Sequence, residues 1–373
     1  MLKLRLFVIV GLLFAEVSAF SQEVPAPGKK DNVLLHPRKF YKKFFPKLSI
    51  KSNPPDSSYV KVYPNYLSLS VHLLSPFIRT DIHPGNAYAP SASKFRTNIG
   101  DILGVNAGYR FISAGFSFLM KSGIQTHDDY AKSYYRTATI KYNRGAYSFQ
   151  FMYLKLKGFT DINTSNSLDH MQFIKRQDMV VKEFKFEELY NPSWKKYSYS
   201  APFTFTQRQV RSSIGFLLKA GIYSMQLSGD SALITRRQQQ YFDDFSNVNI
   251  IRTLAIRLAP GAGGNFVFFK CYYISFAVFP SYDLYLYKYL TYQNEKVKGK
   301  QTFAFVLDSK ASLGYQSQRL YAGLRYEVER TQASLYNIKI NNLYTYLGLE
   351  LGYRLNAPRF VKKVYKETMP PGL

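Results

Sequence analysis

The sequence predicts an all-β protein, a transmembrane antiparallel up-and-down β-barrel of about twelve strands within a range of roughly 10–14. Three observations support this class. Segments in which apolar and polar residues alternate recur along the chain, short and long connections alternate between them, and an export signal precedes them. Alternation indicates strands, because successive residues of a strand point to opposite faces. The connections indicate the up-and-down order, and the signal indicates the compartment.

The N-terminus, residues 1–21, has the three parts of a secretory signal peptide: a basic start, an apolar middle at residues 6–15 and a small-residue cleavage site. Cleavage after Ala19 and cleavage after Ser21 both fit. The apolar run is shorter than the roughly 20 residues that a membrane-spanning helix needs. The sequence therefore predicts export through a signal peptide to the outer membrane of a Gram-negative envelope.

Residues 22–57 are predicted to be a basic periplasmic leader, because they are rich in lysine and interrupted by prolines. Their middle, residues 37–46, mixes phenylalanine with lysine. Two interpretations remain open here, an amphipathic turn on a membrane surface and a flexible leader. The barrel itself is assigned to residues 58–356, and residues 357–373 to a basic periplasmic tail.

The strand segments share an alternating pattern and a length near or above the roughly 9–11 residues that cross a bilayer. They lie at 66–76, 102–111, 113–120, 131–143, 145–157, 201–209, 214–227, 250–268, 271–289, 302–315, 318–331 and 343–355. The last segment reads LYTYLGLELGYRL, with an apolar residue at nearly every second position. Its other face carries Glu350 and Arg354.

The connections between these segments alternate strictly between short and long. The long ones lie at 77–101, 121–130, 158–200, 228–249, 290–301 and 332–342. Outer-membrane barrels have one end of tight turns and one end of longer loops, whereas Greek-key sandwiches have no reason to alternate in this way. The apolar face of 343–355 is therefore predicted to face lipid, and an even strand count places both termini in the periplasm. Within the longest loop, residues 179–186 could form a strand that extends the wall.

The composition indicates which classes of molecule the protein binds. The formal charge is +26, and aromatic residues make up 17% of the chain, an excess that interfacial girdles would use. Export argues against nucleic acid, so anionic phosphates of outer-membrane lipid and lipopolysaccharide are the natural partners. The alternative is that lysine and arginine only solvate the loops. The single cysteine, Cys271, excludes an intrachain disulfide and is predicted to be a small buried residue.

Several stretches, taken in order, resemble a known family. They are YVKVYPNYLSLSV at 59–71, KFRTNIGDILGVNAGYRFISAGFSF at 94–118, TQRQVRSSIGFLLKAGIYS at 206–224, SGDSALI at 228–234, LGYQSQRLYAGLRYE at 313–327 and LGLELGYRL at 347–355. The chain resembles a Bacteroidota family of outer-membrane barrels catalogued as a domain of unknown function. The resemblance implies fold and location, and it carries no activity or catalytic residues.

If the apolar faces contact lipid, the opposite faces place charged side chains in the lumen, with cations in excess. The predicted lumen-facing residues are Arg110, Lys141, Lys219, Arg257, Asp283, Asp308, Lys310, Arg325, Glu327, Glu350 and Arg354. Charges in a narrow barrel must pair or stay hydrated. Two interpretations follow: ion pairs that hold the wall rigid, or a basic passage for an anionic solute.

The sequence gives little support for a catalytic site or a bound cofactor. Ser68, Ser70 and His72 share one face of the first strand, a pairing that could supply a nucleophile and its base, but such pairs arise by chance in any barrel. The other histidines, at 36, 83, 127 and 170, are isolated and lack metal-ligand spacing. The glycine-rich run APGAGG at 259–264 lies inside a strand pattern, so it predicts a bend or close wall packing and not a phosphate loop.

Three functions therefore remain. The first is a structural or interaction barrel of the cell envelope, with its protein partner on the long loops. The second is a pore or transport barrel for small, anionic solutes, which needs an open lumen. The third, a lipid-modifying enzyme, ranks last, and the sequence predicts no enzyme, no cofactor and no metal site.

Overall fold

The structure, a computed structural model, describes residues 54–85, 92–120, 127–162, 173–291, 293, 295–335 and 337–368. The predicted signal peptide, most of the leader and the end of the tail lie outside these residues. The strands are β1 (Val60–Val62), β2 (Tyr66–Pro84), β3 (Ser93–Arg96), β4 (Ile102–Tyr109), β5 (Ile112–Leu119), β6 (Tyr134–Arg144), β7 (Tyr147–Asp161), β8 (Ile174–Tyr190), β9 (Gln207–Gln209), β10 (Ser213–Ser228), β11 (Ile250–Phe268), β12 (Tyr272–Leu290), β13 (Lys296–Gln316), β14 (Leu320–Leu335) and β15 (Ile338–Asn356). The helices are α1 (Ser200–Thr204), α2 (Arg236–Gln239) and α3 (Arg359–Thr368), with a 3₁₀ turn at Asp243–Phe245.

Twelve strands form a closed antiparallel barrel: β2, β4 to β8 and β10 to β15. Each pairs with its neighbours along the chain, and β15 pairs with β2 over their whole length, from Ile338 opposite Pro84 to Asn356 opposite Tyr66. Closure leaves no unpaired sheet edge, which is what a β-structure needs in lipid. The predicted fold class and strand number are confirmed.

The outer face of the wall is apolar. On β15, Leu347, Leu349, Leu351 and Tyr353 are 42–55% exposed, whereas Glu350 between them is 3% exposed. In water such a surface would be unfavourable, and in a bilayer it contacts acyl chains. The apolar side chains of the last strand thus point outward, as predicted; that they contact lipid stays a prediction. Among the described residues, no helix is long and apolar enough to cross a membrane.

The two ends of the barrel differ. One end, called the turn end, holds the start of β2, the end of β15 and the tight turns after β4, β6, β11 and β13. The opposite end, called the loop end, holds the connections after β2, β5, β7, β10 and β12. Strict alternation of short and long connections is wrong at two places. At the loop end, only two residues separate Leu335 of β14 from Ile338 of β15, where a long connection was predicted. Residues 191–212, between β8 and β10, form a long connection at the turn end.

The predicted strand at 201–209 is wrong, and β8 takes its place in the wall. Residues 201–204 lie in α1, because Pro202 suits the first turn of a helix and Phe205 then ends it with a left-handed φ of 54°. β8 lies inside the predicted loop 158–200, and it includes the segment 179–186 that was considered as a wall extension. Its charged residues resembled a loop, but they alternate with outward phenylalanines. One strand replaced another, so the count of twelve survived.

The short strand β3 completes the wall at the loop end. β4 and β5 are only eight residues long, and β3 pairs instead with both β2 and β7 above them. Phe95 of β3 and Ile102 of β4 are buried there, in the largest apolar cluster of the described residues. The core of this barrel therefore lies inside its loop end and not at its centre.

Candidate functional site: a chamber between two plugs

The loop end is filled by residues 229–249, called the loop-end plug. This connection between β10 and β11 carries α2 and the 3₁₀ turn. Five of its apolar side chains are at most 1% exposed: Leu233, Ile234, Phe242, Phe245 and Val248. Phe245 packs edge-on against Tyr289 of β12, with ring centroids 4.9 Å apart. Burial of these side chains holds the loop inside the barrel.

The turn end is filled by residues 191–212, called the turn-end plug. Tyr197 and Phe205 are fully buried and Phe203 nearly so, although all three belong to a connection and not to the wall. Tyr197 and Phe203 pack with Phe279 of β12, and Phe205 stacks on Tyr321 of β14 with centroids 4.6 Å apart. The plug therefore occupies the lumen and does not hang from its rim.

Wall side chains satisfy the backbone of this plug. Carbonyl groups at the C-terminal end of a short helix lack partners within the helix and need external donors. The donors are Gln316 Nε2 to Ala201 O (2.6 Å), Arg325 Nη1 to Phe203 O (3.0 Å) and Arg354 Nη2 to Phe205 O (2.8 Å). Two of the three donors are charged, and hydrogen bonds to charged groups are the stronger kind.

The side chain of Tyr197 packs against the glycine-rich run of β11. A Cβ on Gly263 would stand 2.1 Å from the Tyr197 hydroxyl oxygen, and one on Gly215, its partner on β10, would stand 2.6 Å from the ring. Both positions face inward, so the absence of side chains there makes room for the ring. The prediction of close wall packing at 259–264 is confirmed at Gly263.

Between the plugs lies a polar chamber of about 210 Å³. β2, β4 to β8 and β13 to β15 contribute its lining. Its charged lining residues are Lys141, Glu183, Lys185, Glu187, Asp308, Lys310, Arg325, Glu327, Glu329 and Glu350. His72, Asn106 and Ser117 stand among them on one side.

Ion pairs cross the lumen beside the chamber. Lys185 of β8 donates to Glu329 of β14 (Nζ–Oε2 2.8 Å), although five pairings separate these strands around the wall. Arg257 of β11 binds the same carboxylate (Nη2–Oε1 3.0 Å) and also Asp283 (Nε–Oδ2 2.8 Å). These pairs tie opposite sides of the wall together.

Further pairs line the other side. Glu350 forms an ion pair with Arg325 (Oε2–Nη2 2.5 Å) and accepts a hydrogen bond from the hydroxyl of Ser70 (2.5 Å), and Lys310 donates to Glu327 (3.0 Å). Lys219 binds Asp308, as part of the same network. Lys141 has no ion pair or hydrogen bond to any residue that the structure describes, so it is the one chamber lysine available to a solute.

The structure places ten of the eleven predicted lumen residues on the inward face. Arg110 is the exception, and that prediction is wrong: it lies exposed in the turn between β4 and β5, where the left-handed φ of 54° turns the chain. Arg354 lies at the turn end, fully buried under the plug. The prediction lacks four inward charges: Glu183, Lys185 and Glu187, because β8 was assigned to a loop, and Glu329, although it lies within the segment predicted at 318–331. Alternation with Phe184 and Phe186 was the available signal.

With these corrections the predicted excess of cations in the lumen disappears. In the described chamber and its ion-pair network, seven cations, counting Arg354, meet seven carboxylates, since the missed strand β8 adds mostly glutamates. The charge of +26 therefore resides outside the lumen network. A balanced interior favours ion pairing over attraction of an anion.

His72 is not paired with Ser68 or Ser70 as a catalytic base would be. Its Nε2 contacts Ser117 Oγ at 2.9 Å, and its Nδ1 lies 3.0 Å from the Asn106 amide nitrogen, which also donates to Glu350. Because that amide donates to Nδ1, Nε2 carries the proton and donates to the serine. In this tautomer the nitrogen that faces Ser117 cannot accept the proton of that serine. No group of three metal-binding side chains occurs in the described part of the chain.

Comparisons with known proteins identify the family of this chain. Among solved structures, the chain is similar to the outer-membrane protease OmpT from Escherichia coli (9% identity, TM-score 0.37, 79% of this chain and 98% of that one). It is also similar to an outer-membrane channel from Pseudomonas putida F1 (8%, 0.35, 82% and 100%) and to the translocator domain of the autotransporter NalP from Neisseria meningitidis (10%, 0.37, 77% and 88%). These similarities are too remote to indicate an activity. A search of curated proteins gives no match. The profile of one family matches residues 54–355, so the chain belongs to the family described as Domain of unknown function (DUF4421).

Proposed function

We propose that the protein is an outer-membrane barrel that serves as a structural or interaction component of the cell envelope and does not conduct solutes. The observation that carries this proposal is the filling of the lumen at both ends by the protein's own chain. A passive pore needs a continuous aqueous path, as in porins, whose lumen is water-filled. Here covalently attached segments occupy that path.

The topology supports an orientation with the turn end in the periplasm. Both ends of the barrel domain, at Tyr66 and Asn356, lie at the turn end. In bacterial outer-membrane barrels the short turns face the periplasm and the longer loops face outward. The leader and tail are thereby periplasmic, and the loop end is available to an envelope protein partner. Lipid and lipopolysaccharide surround the wall, and neither nucleic acid nor a catalytic reaction belongs to this proposal.

The ion pairs in the interior favour a rigid wall and not a passage for solutes. Lys185, Arg257 and Glu329 form a cluster that joins three strands across the lumen. Removing one member of a buried pair costs about 3–5 kcal/mol, because it leaves an uncompensated charge. A solute that passed through would have to break such contacts. Stability of the barrel, rather than selection of a solute, explains them.

One observation favours the alternative, a gated transport barrel for small solutes. The chamber between the plugs holds about 210 Å³, and Lys141 reaches it without a protein partner. A small anion would fit there if one plug moved. This alternative requires movement of a plug that the wall holds by several hydrogen bonds.

Single-channel conductance in a planar bilayer tests the proposal. The refolded mature chain, residues 22–373, is compared with a variant in which a glycine–serine segment replaces residues 197–206, a variant in which one replaces 231–247, and the double variant. We expect no conductance from the mature chain and stable steps from the double variant. Heat-modifiable migration on gels provides the control that each barrel is folded. Stable steps from the mature chain itself would overturn the proposal in favour of a pore, and anion selectivity would point to Lys141.

A further inference from the structure

The outward face of β6, β7 and β8 changes abruptly from aromatic to basic. From the turn end upward, Tyr147 and Tyr190 contact each other (ring centroids 5.2 Å apart), and Phe151 contacts Phe186 (4.7 Å). These rings form an apolar, lipid-facing surface. Above them the same faces carry four cations, called the rim cations: Arg136, Lys155, Lys157 and Lys182.

The rim cations stand directly opposite one another. Arg136 pairs in register with Lys155, and Lys155 pairs with Lys182. Lys157 follows two residues further on the same face of β7. Neighbouring strands lie about 4.8 Å apart and alternate residues of a strand about 7 Å apart, so the four charges occupy a patch roughly 10 Å wide. Like charges directly opposite each other destabilise a strand pair.

The protein does not neutralise these charges. The three lysines form no ion pair or hydrogen bond with any described residue, and Arg136 lies only over the Tyr134 ring, 4.8 Å from its centroid. The next carboxylate along β8, Asp178, is bound to Arg176 (2.8 Å). The balancing charge must therefore come from outside the chain.

The height of the patch places it at a lipid headgroup. Eight residues separate Tyr147 from Lys155. At about 3.3 Å per residue and a tilt of about 40°, this is roughly 20 Å along the membrane normal. The apolar band of such barrels is about 25 Å tall, and lysine side chains extend toward its edge. Charges there are tolerated, whereas at mid-membrane each would cost about 2–4 kcal/mol.

We propose that the rim cations bind the headgroup of a lipid that carries more than one phosphate, in the leaflet at the loop end. Four cations exceed what one phosphate can contact, and two phosphates on one headgroup match a patch about 10 Å wide. The aromatic surface below the patch receives the acyl chains of the same lipid. This inference rests on the membrane-spanning orientation proposed above, and it is independent of whether the lumen conducts.

Native mass spectrometry of the detergent-purified barrel, titrated with bisphosphorylated lipid A, tests the proposal. The test variant carries Lys155→Gln, Lys157→Gln and Lys182→Gln. The matched control carries the same change at three exposed turn-end lysines, Lys61, Lys195 and Lys270. Each lysine near an anionic headgroup contributes a factor of about five in affinity, so we expect at least tenfold weaker binding in the test variant and little change in the control.

Two further titrations identify the source of the phosphate and avoid dependence on any variant. We expect the unmodified barrel to bind bisphosphorylated lipid A more tightly than its dephosphorylated form, and inorganic phosphate at the same concentration not to compete. Equal loss in both lysine variants would overturn the proposal, because binding would then reflect overall charge. Equal affinity for the two lipids would overturn it as well. The outcome of these lipid-binding measurements does not depend on whether the lumen conducts ions.

Discussion

Gly263→Ala should release the turn-end plug. The new Cβ would stand 2.1 Å from the Tyr197 hydroxyl oxygen, where an ordinary contact is about 3.5 Å, so the ring must retreat by roughly 1.4 Å. The ring is fully buried, so its movement would disturb the packing around it. Overpacking costs about 1–3 kcal/mol and emptying an aromatic site about 3–5 kcal/mol. Taking about 3 kcal/mol, the ratio of docked to undocked plug falls by roughly a hundredfold.

The assay uses Trp194, the only tryptophan of the chain and a half-buried member of the same plug. We expect its emission to shift to longer wavelength and its quenching by acrylamide to increase in Gly263→Ala. Gly108→Ala is the matched control, because the nearest atom to its added Cβ is 3.4 Å away. Heat-modifiable migration should be unchanged in both variants, since the wall pairing is untouched.

A second substitution, Tyr197→Phe, tests whether the Tyr197 hydroxyl oxygen is the atom that clashes. The Tyr197 hydroxyl has no hydrogen-bond partner in the described structure, so Tyr197→Phe alone should have little effect. In the Gly263→Ala background it removes the clashing oxygen and should restore the emission of Trp194. If Gly263→Ala leaves emission and quenching as in the unmodified chain, or if Tyr197→Phe fails to rescue it, Tyr197 is not seated as described.

Three more predictions follow from the interior. Glu350→Gln should lower the free energy of unfolding by about 3–5 kcal/mol in urea titrations, because Arg325 loses its buried partner, and Arg325→Met in the same background should recover part of the loss. His72→Ala and Ser117→Ala should leave any background hydrolysis of nitrophenyl esters unchanged, whereas a loss in either variant would revive an enzymatic role. Phe245→Ala should increase protease cleavage within residues 229–249 by at least tenfold while the wall stays folded, since a buried ring of the loop-end plug is lost; unchanged cleavage would show that this ring does not hold the plug.

Much of the wall follows from sequence because its signal is local. The segment predicted at 250–268 matches β11 in both bounds, and its neighbours on either side agree within a residue or two. Alternation of period two has one simple solution in lipid, with the apolar residues outside, and closure of the barrel needs no further information. Inward placement of Arg257, Asp283 and Glu350 follows from the same alternation.

The two plugs and the ion pairs across the lumen could not be predicted from alternation in the sequence. The residues around Phe203 and Phe205 alternate like a strand, yet their apolar side chains are buried by the lumen instead of by lipid. The charges of β8 are typical of a solvated loop, yet Lys185 is paired across the barrel with Glu329, 144 residues away. Both decisions depend on contacts between distant parts of the chain. The sequence alone thus determined that this protein is a transmembrane barrel with an apolar outer face, since alternation is a local property, whereas the count of twelve strands included one wrong strand. Only the tertiary structure decided that its lumen is filled and charge-balanced, because a segment's choice between wall and interior depends on which partners closure brings within reach.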